Sequence, residues 1–422
     1  MIKKILVGFS LVLATGAWAQ QGTATPYSFY GIGDVKYGGT NGYKAMGGTS
    51  VYSDSIHLNL QNPASFGKLQ STTFSIGATA KFYNFKSNQQ SDAVKRQTID
   101  YIAIGLPIKS NKLGVTFGLQ PQTNVGYKVT GLETNENSKT TTYSYNGNGG
   151  VNRVFIGTGY EVINNLRLGI DASYNFGNTT NDVSVWIKNT GNDVGLSTQT
   201  VEKRRVDYKG FSYRLSALYE GKVKKYDWQA SVTYSPETKW NTDNLTKRQT
   251  WDIYNPGQMV DETTISDLDL KVINPQQMSL GAGFGKERKW FVAGQFTYIE
   301  NSKLASSTNT TNKASFEDTK RYTIGGFYIP KYNSFTSYFN KIVYRAGFRY
   351  ENTGLVLNNQ AINDYAFTGG LGLPVKGYTN LNVGFEYGQR GTSSNGLIKE
   401  NYFSVSVGFS LNDLWFKRRK YE

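Results

Sequence analysis

The chain has 422 residues, no cysteine, one histidine, 46 Gly and only 9 Pro, with 30 Tyr, 23 Phe and 7 Trp. That composition excludes a disulfide framework, thiol chemistry and a Cys/His metal centre, and a mean hydropathy of −0.47 argues against a helical membrane bundle. The formal charge of +15, from 46 basic and 31 acidic residues, is scattered and comes without a DNA- or RNA-binding motif, so no nucleic-acid partner is expected.

Lys3 and Lys4 precede an apolar run, Ile5 to Gly16, and Ala17-Trp18-Ala19 supplies a small-x-small cleavage pattern. This reads as a signal peptide, 1–19, cut before Gln20. The run is too short for a membrane-spanning helix, which needs roughly 20 apolar residues. Gln20 in place of Cys excludes a lipoprotein, and loss of Lys3 and Lys4 leaves +13.

Residues 20–71 do not read as membrane strands. They hold Tyr27-Ser28-Phe29-Tyr30-Gly31-Ile32-Gly33, then Ala45-Met46-Gly47-Gly48, then Asn62-Pro63-Ala64. Such density of aromatic and turn residues argues against a disordered arm. Asn62 is expected to satisfy nearby backbone groups, and Pro63 to fix a turn.

From about residue 72 apolar residues recur with period two. In the last strand Phe403, Val405, Val407, Phe409 and Leu411 oppose Ser404, Ser406, Gly408 and Ser410. Leu166, Leu168, Ile170, Ala172, Tyr174 and Phe176 form another outward set, and Ile342, Tyr344, Ala346, Phe348 and Tyr350 a third. About 14 strands are predicted over 72–412, joined by alternating short and long connections. The longer ones include 131–150 and 241–275. This is an all-β, antiparallel transmembrane β-barrel with both ends in the periplasm. The opposite faces place Lys81, Arg153, Glu161, Arg167, Asp171, Arg214, Arg345, Arg349 and Glu386 in the lumen. Trp228, Trp240, Trp290 and Trp186 are placed outward, as an aromatic girdle at the two membrane interfaces.

Pro121 interrupts the third strand within Gln120-Pro121-Gln122-Thr123-Asn124. Proline cannot donate to a ladder, so an edge or a bulge is expected there. His57 has no Gly-x-Ser-x-Gly elbow to serve. Asn146-Gly147-Asn148-Gly149-Gly150 precedes no helix and reads as a flexible loop. Asp261, Asp267 and Asp269 are too loosely spaced for a calcium loop. The chain therefore reads as a non-enzyme with no cofactor and no metal. Residues 413–422 form a basic periplasmic tail, with Trp415 and Phe416 before Lys417-Arg418-Arg419-Lys420.

The Gly47-Gly48 segment, the Asn62-Pro63-Ala64 motif before the first strand, and the strand count together resemble the FadL-like (OmpP1/FadL/TodX) family of outer-membrane transport proteins, in a Bacteroidota-type form. The resemblance implies that 20–71 folds into the lumen as an N-terminal hatch. It implies passive uptake of small hydrophobic molecules, of the fatty-acid or aromatic-hydrocarbon class, with lateral release through a kinked third strand near Gln120, Pro121, Gln122 and Asn124. It leaves an alternative, a partner-binding barrel of the type IX secretion machinery docked to a translocon. The expected location is the cell outer membrane, among its lipid.

Overall fold

The computed structural model describes residues 22–36, 39–88, 90–134, 139–189, 198–255, 257–306, 314–375 and 379–413. The predicted signal peptide and the tail beyond Asp413 lie outside the described residues.

A strand series with one apolar face must hide its ladder edges as well as its backbone, and closure does both. Fourteen antiparallel strands form one ring. They are β1 (Thr72–Lys86), β2 (Ser91–Lys109), β3 (Leu113–Thr134), β4 (Lys139–Ile163), β5 (Leu166–Asn189), β6 (Thr198–Val223), β7 (Tyr226–Ser235 and Thr238–Asp252), β8 (Met259–Asn274 and Gln277–Lys286), β9 (Trp290–Ile299), β10 (Ala314–Phe316 and Thr319–Tyr328), β11 (Val343–Leu357), β12 (Gln360–Pro374), β13 (Asn380–Arg390) and β14 (Lys399–Asp413). β14 closes on β1 in unbroken register from Lys399↔Lys86 to Asp413↔Thr72.

The predicted faces hold in most of the wall. Phe403, Val407, Leu411, Leu168, Ile170, Tyr174 and Phe176 are exposed, whereas Ser404, Ser406 and Ser410 are buried. Ile342 differs: it is buried, in the turn before β11. Tight turns join β2 to β3, β4 to β5 and β6 to β7 at the end where β1 begins, which places that end in the periplasm. At the other end the wall rises far beyond the membrane. β4, β5 and β6 run for 25, 24 and 26 residues, where about 9–11 cross a bilayer.

This height corrects the predicted loops. Asn146 to Gly150 lies inside β4, laddered to both β3 and β5. Residues 238–252 and 259–274 form a paired hairpin, on which Asp261, Asp267 and Asp269 are exposed. Above the membrane both faces of a strand meet water, so alternation fades while the ladder continues.

Trp240 is a second correction. It is fully buried with Ile32, Val151, Val206, Tyr208 and Val272, and its indole N–H donates to Ser212 Oγ at 3.2 Å. The pairing of β7 on β6 slips by one residue across Pro236-Glu237, from Leu215↔Tyr234 to Lys209↔Asn241. A one-residue slip exchanges the two faces, so Trp240 points inward although Trp228 points outward. Trp228 packs on Tyr219 at 5.2 Å, and Trp290 on Phe284 at 5.0 Å. Trp186 is half-buried near the top of β5, opposite Thr142. Trp240→Ala is expected to destabilise the barrel by about 3–5 kcal/mol. Trp228→Ala should do much less, which thermal unfolding followed on unheated gels would compare.

Residues 22–36 and 39–71 lie inside the ring, against its inner face. They contain two 3-10 turns, Pro26–Phe29 and Pro63–Lys68, and one helical turn, α1 (Asn41–Lys44). Close approach between this hatch and the wall is made possible by glycine on the wall. A Cβ at Gly325 would stand 2.1 Å from Met46 O, and one at Gly347 2.2 Å from Gly47 N. Across the lumen a Cβ at Gly114 would stand 1.9 Å from Phe66 O, and one at Gly169 2.2 Å from Ala64 N. The two hatch motifs therefore sit on two glycine seats. Gly47 itself has φ +71° in its turn, a conformation other residues rarely adopt.

Candidate functional site

Side chains and backbone lock the seats. Ala64 N donates to Ser216 Oγ at 2.7 Å, Gly47 N to Thr368 Oγ1 at 2.8 Å, and Arg214 Nη1 to Leu60 O at 2.9 Å. Asn62 does not play its expected part. It is fully buried, and its amide finds no partner among the described residues. Asn59 does that work, donating to Ser50 O at 2.8 Å and Tyr52 O at 3.2 Å. His57 pairs through Nδ1 with Asp54 Oδ2 at 2.6 Å. Burial alone would raise the Asp54 carboxyl, but His57 and the N–H groups of Ile56 and His57 hold it down at about 2.

Most of the predicted lumen charges gather into three groups. Arg153 and Arg214 share Asp171 at 3.4 and 3.6 Å. Arg167 pairs with Glu161 at 3.1 Å and with Glu220, and Glu220 also takes Lys68 of the hatch. In the third group Arg349 meets Glu386 at 2.7 Å. Asp364 accepts from Arg390 at 2.9 Å and from Tyr402 at 2.7 Å, and Arg390 reaches Asp34 of the hatch at 2.8 Å. Arg345 stands apart and donates to Asn382 at 2.8 Å. The sequence reading missed Asp364, Arg390, Glu220 and Asp34. Arg390 shares the parity of Glu386 on β13, a signal that was there to follow.

The wall is not laddered all the way round. β2 and β3 pair from Lys109↔Leu113 only as far as Ile102↔Leu119. Beyond this, Ser91–Tyr101 keeps β1 as its partner and Gln120–Thr134 keeps β4. The separation begins at Gln120, next to Pro121, which has no N–H to offer a ladder. The β4 register slips between Pro121 and Thr123. Phe117 and Leu119 consequently face outward, whereas Val125 and Tyr127 are buried inside. The Asp34–Val35 segment of the hatch lies on the bare edge of β3, pairing Asp34↔Asn124 and Val35↔Thr123. Lys36 N adds a bond to Gln122 O at 3.0 Å. Gln120 is buried opposite Arg153. Between the hatch segment and β2 the links are side chains. Lys44 meets Asp100 at 3.1 Å, and Arg96 Nε donates to Thr23 O at 3.3 Å.

Cavities lie between hatch and wall. One of about 80 Å³ adjoins the gap and is lined by Asp34, Lys36, Lys81, Arg96, Asp100 and Glu386 among others. One of about 60 Å³ lies nearer the periplasm against Tyr43, Tyr52, His57 and Arg345. A third, of about 130 Å³, lies against Tyr27, Tyr30, Phe316 and Arg321. Each carries an arginine beside aromatic or apolar groups. On the lipid side a groove of about 770 Å³ runs over Ala217, Ala230, Ala282 and Gly294 between Tyr219 and Phe296. It is apolar, as lipid requires.

The profile of a family described as BamG matches residues 1–422. No curated protein matches the sequence. Among solved structures, the chain is similar to the CymD monoaromatic hydrocarbon channel, with a TM-score of 0.53 and 13% identity over 91% of this chain and 99% of that one. It is similar to a Pseudomonas aeruginosa FadL homologue, with a TM-score of 0.55 and 11% identity over 90% and 98%. The P. putida toluene transporter TodX gives a TM-score of 0.55 and 15% identity over 90% and 100%. At these identities what is shared is the fold, that of an outer-membrane channel.

Proposed function

The chain belongs to the BamG family, and from that footing we propose that it is an outer-membrane channel for small hydrophobic molecules, with release sideways through the gap between β2 and β3. Its structural relatives are channels, two of them described for monoaromatic hydrocarbon or toluene. The observation that carries the proposal is the loss of β2–β3 pairing beyond Ile102↔Leu119, beside a hatch that fills the straight path. A ligand captured at the outer rim would meet the glycine-seated hatch below and the gap at its side. Leaving through the gap spares it the two charge groups around Asp171 and Glu220, where apolar matter cannot satisfy buried ions. The arginines in the cavities favour a molecule with a hydrophobic body and a polar end over a bare hydrocarbon.

The Asp34–Val35 segment must yield for the gap to widen. Val35 and Thr123 are register partners, close enough across a strand pair for a disulfide. The chain has no native cysteine to interfere. Oxidised V35C/T123C protein in vesicles is expected to take up a labelled long-chain fatty acid or toluene at least tenfold more slowly, with recovery on reduction. Equal uptake by the oxidised and reduced forms would rule out this path.

A further inference from the structure

Lys81 on β1 and Arg96 on β2 are direct cross-strand partners, and both face the cavity beside the gap. Like charges placed directly opposite each other destabilise a sheet, with Cβ atoms only about 5 Å apart. The other cations of this cavity have carboxylates. Lys36 has Asp34 at 3.4 Å, Lys44 has Asp100 at 3.1 Å, Arg349 has Glu386 at 2.7 Å and Arg390 has Asp34 at 2.8 Å. Among the described residues, Lys81 and Arg96 have no carboxylate within salt-bridge distance. Lys81 instead sits over the Tyr402 ring at 3.6 Å, and Arg96 donates only to the Thr23 and Lys95 carbonyls.

A repelling pair kept on a lumen face is explained when an anion sits between its members. We propose that Lys81 and Arg96 form a binding site for a phosphate group, supplied by the headgroup of an outer-leaflet lipid that enters through the wall gap. Three observations point to this ligand. Arg and Lys together offer a fork and a point charge, a combination suited to phosphate oxygens. Arg96 lies on the stretch of β2 that has lost β3, so the cavity borders the unladdered part of the wall, behind the Asp34–Val35 segment. The height is also right. Lys81 stands nine positions above Thr72 at the periplasmic end of β1. At about 3.3 Å per residue and a 35–45° tilt, that is about 20–25 Å up, near the outer edge of the roughly 25 Å apolar band. Lipid phosphates lie at that level. The site rests on the same wall gap as the proposed release path, but binding to it is an equilibrium that needs no transport.

The test titrates purified full-length protein in neutral detergent with dihexanoyl phosphatidic acid, inorganic phosphate or dihexanoylglycerol, read by calorimetry. Saturable binding of the phosphatidic acid is expected, with inorganic phosphate at least tenfold weaker and dihexanoylglycerol silent. R96E turns the repelling pair into an attractive one, so the barrel should keep its heat-modifiable migration while phosphatidic-acid affinity falls at least tenfold. K81Q should lose affinity similarly and guards against a specific fault of R96E. Unchanged affinity in both folded variants would overturn the site. Equal affinity for inorganic phosphate and phosphatidic acid would overturn the lipid source and leave a free-anion site. Because neither measurement involves uptake, a failed disulfide-locking result and a failed titration remain separate findings.

Discussion

Asp364→Ala is expected to destabilise the barrel by about 3–5 kcal/mol, among the largest effects any polar residue of the lumen should show. Asp364 is fully buried and accepts from Arg390 at 2.9 Å and Tyr402 at 2.7 Å, with Arg349 at 3.7 Å. Removing one member of a buried ion group leaves the others charged and desolvated, which costs more than the pair contributed. Arg390 also holds Asp34 of the hatch at 2.8 Å. The same substitution should therefore loosen the Asp34–Val35 segment on β3. Asp364→Asn keeps the shape but only one of the two acceptor contacts, because Arg390 and Tyr402 donate to different carboxylate oxygens, and should cost less than alanine. Unfolding of the three proteins in urea with a folding-competent detergent would measure the order. Limited proteolysis would then report on the hatch. An alanine variant within about 1 kcal/mol of the parent would show that water already screens this group.

Gly169→Val should open the barrel without unfolding it. The new Cβ would stand 2.2 Å from Ala64 N and 2.4 Å from Pro63 C. Both are backbone atoms, so no rotamer change relieves the clash. The wall is laddered on both sides of Gly169, at Gly159 and Ser216. The Pro63-Ala64 turn is held by fewer bonds, so it is the part that moves. Single-channel conductance in planar bilayers is expected to rise several-fold over the hatched parent. Gly131→Val is the matched control, because a Cβ there meets nothing within 4 Å. Equal conductance of the two variants would mean that the Asn62-Pro63-Ala64 motif is not what closes the lumen.

The gap illustrates how far a local signal reaches. Pro121 marks a place where one ladder bond is missing and alternation slips, and both marks are visible in the chain. That the slip coincides with the parting of β2 and β3 over their whole upper halves is not visible. Pairing is a relation between two strands, and no single strand records which neighbour it has lost. Nor does the sequence reveal that a two-residue piece of hatch lies against the bare edge. Trp240 teaches the same lesson with the opposite outcome. Its parity relative to Trp228 places it outward, but one extra residue at Pro236-Glu237 reverses the face.

The sequence by itself determined the class of this protein: fourteen strands, one face for lipid and one for a polar lumen, and an N-terminal segment too rich in turn motifs to be wall. Those follow from period-two patterning, which is written residue by residue and survives any arrangement of the ladders. Tertiary structure alone decided which charges meet, where Gly114, Gly169, Gly325 and Gly347 admit the hatch, and where the wall stops pairing. Those are contacts between residues tens to hundreds of positions apart. They depend on register and bulges, and a single inserted residue exchanges inside for outside.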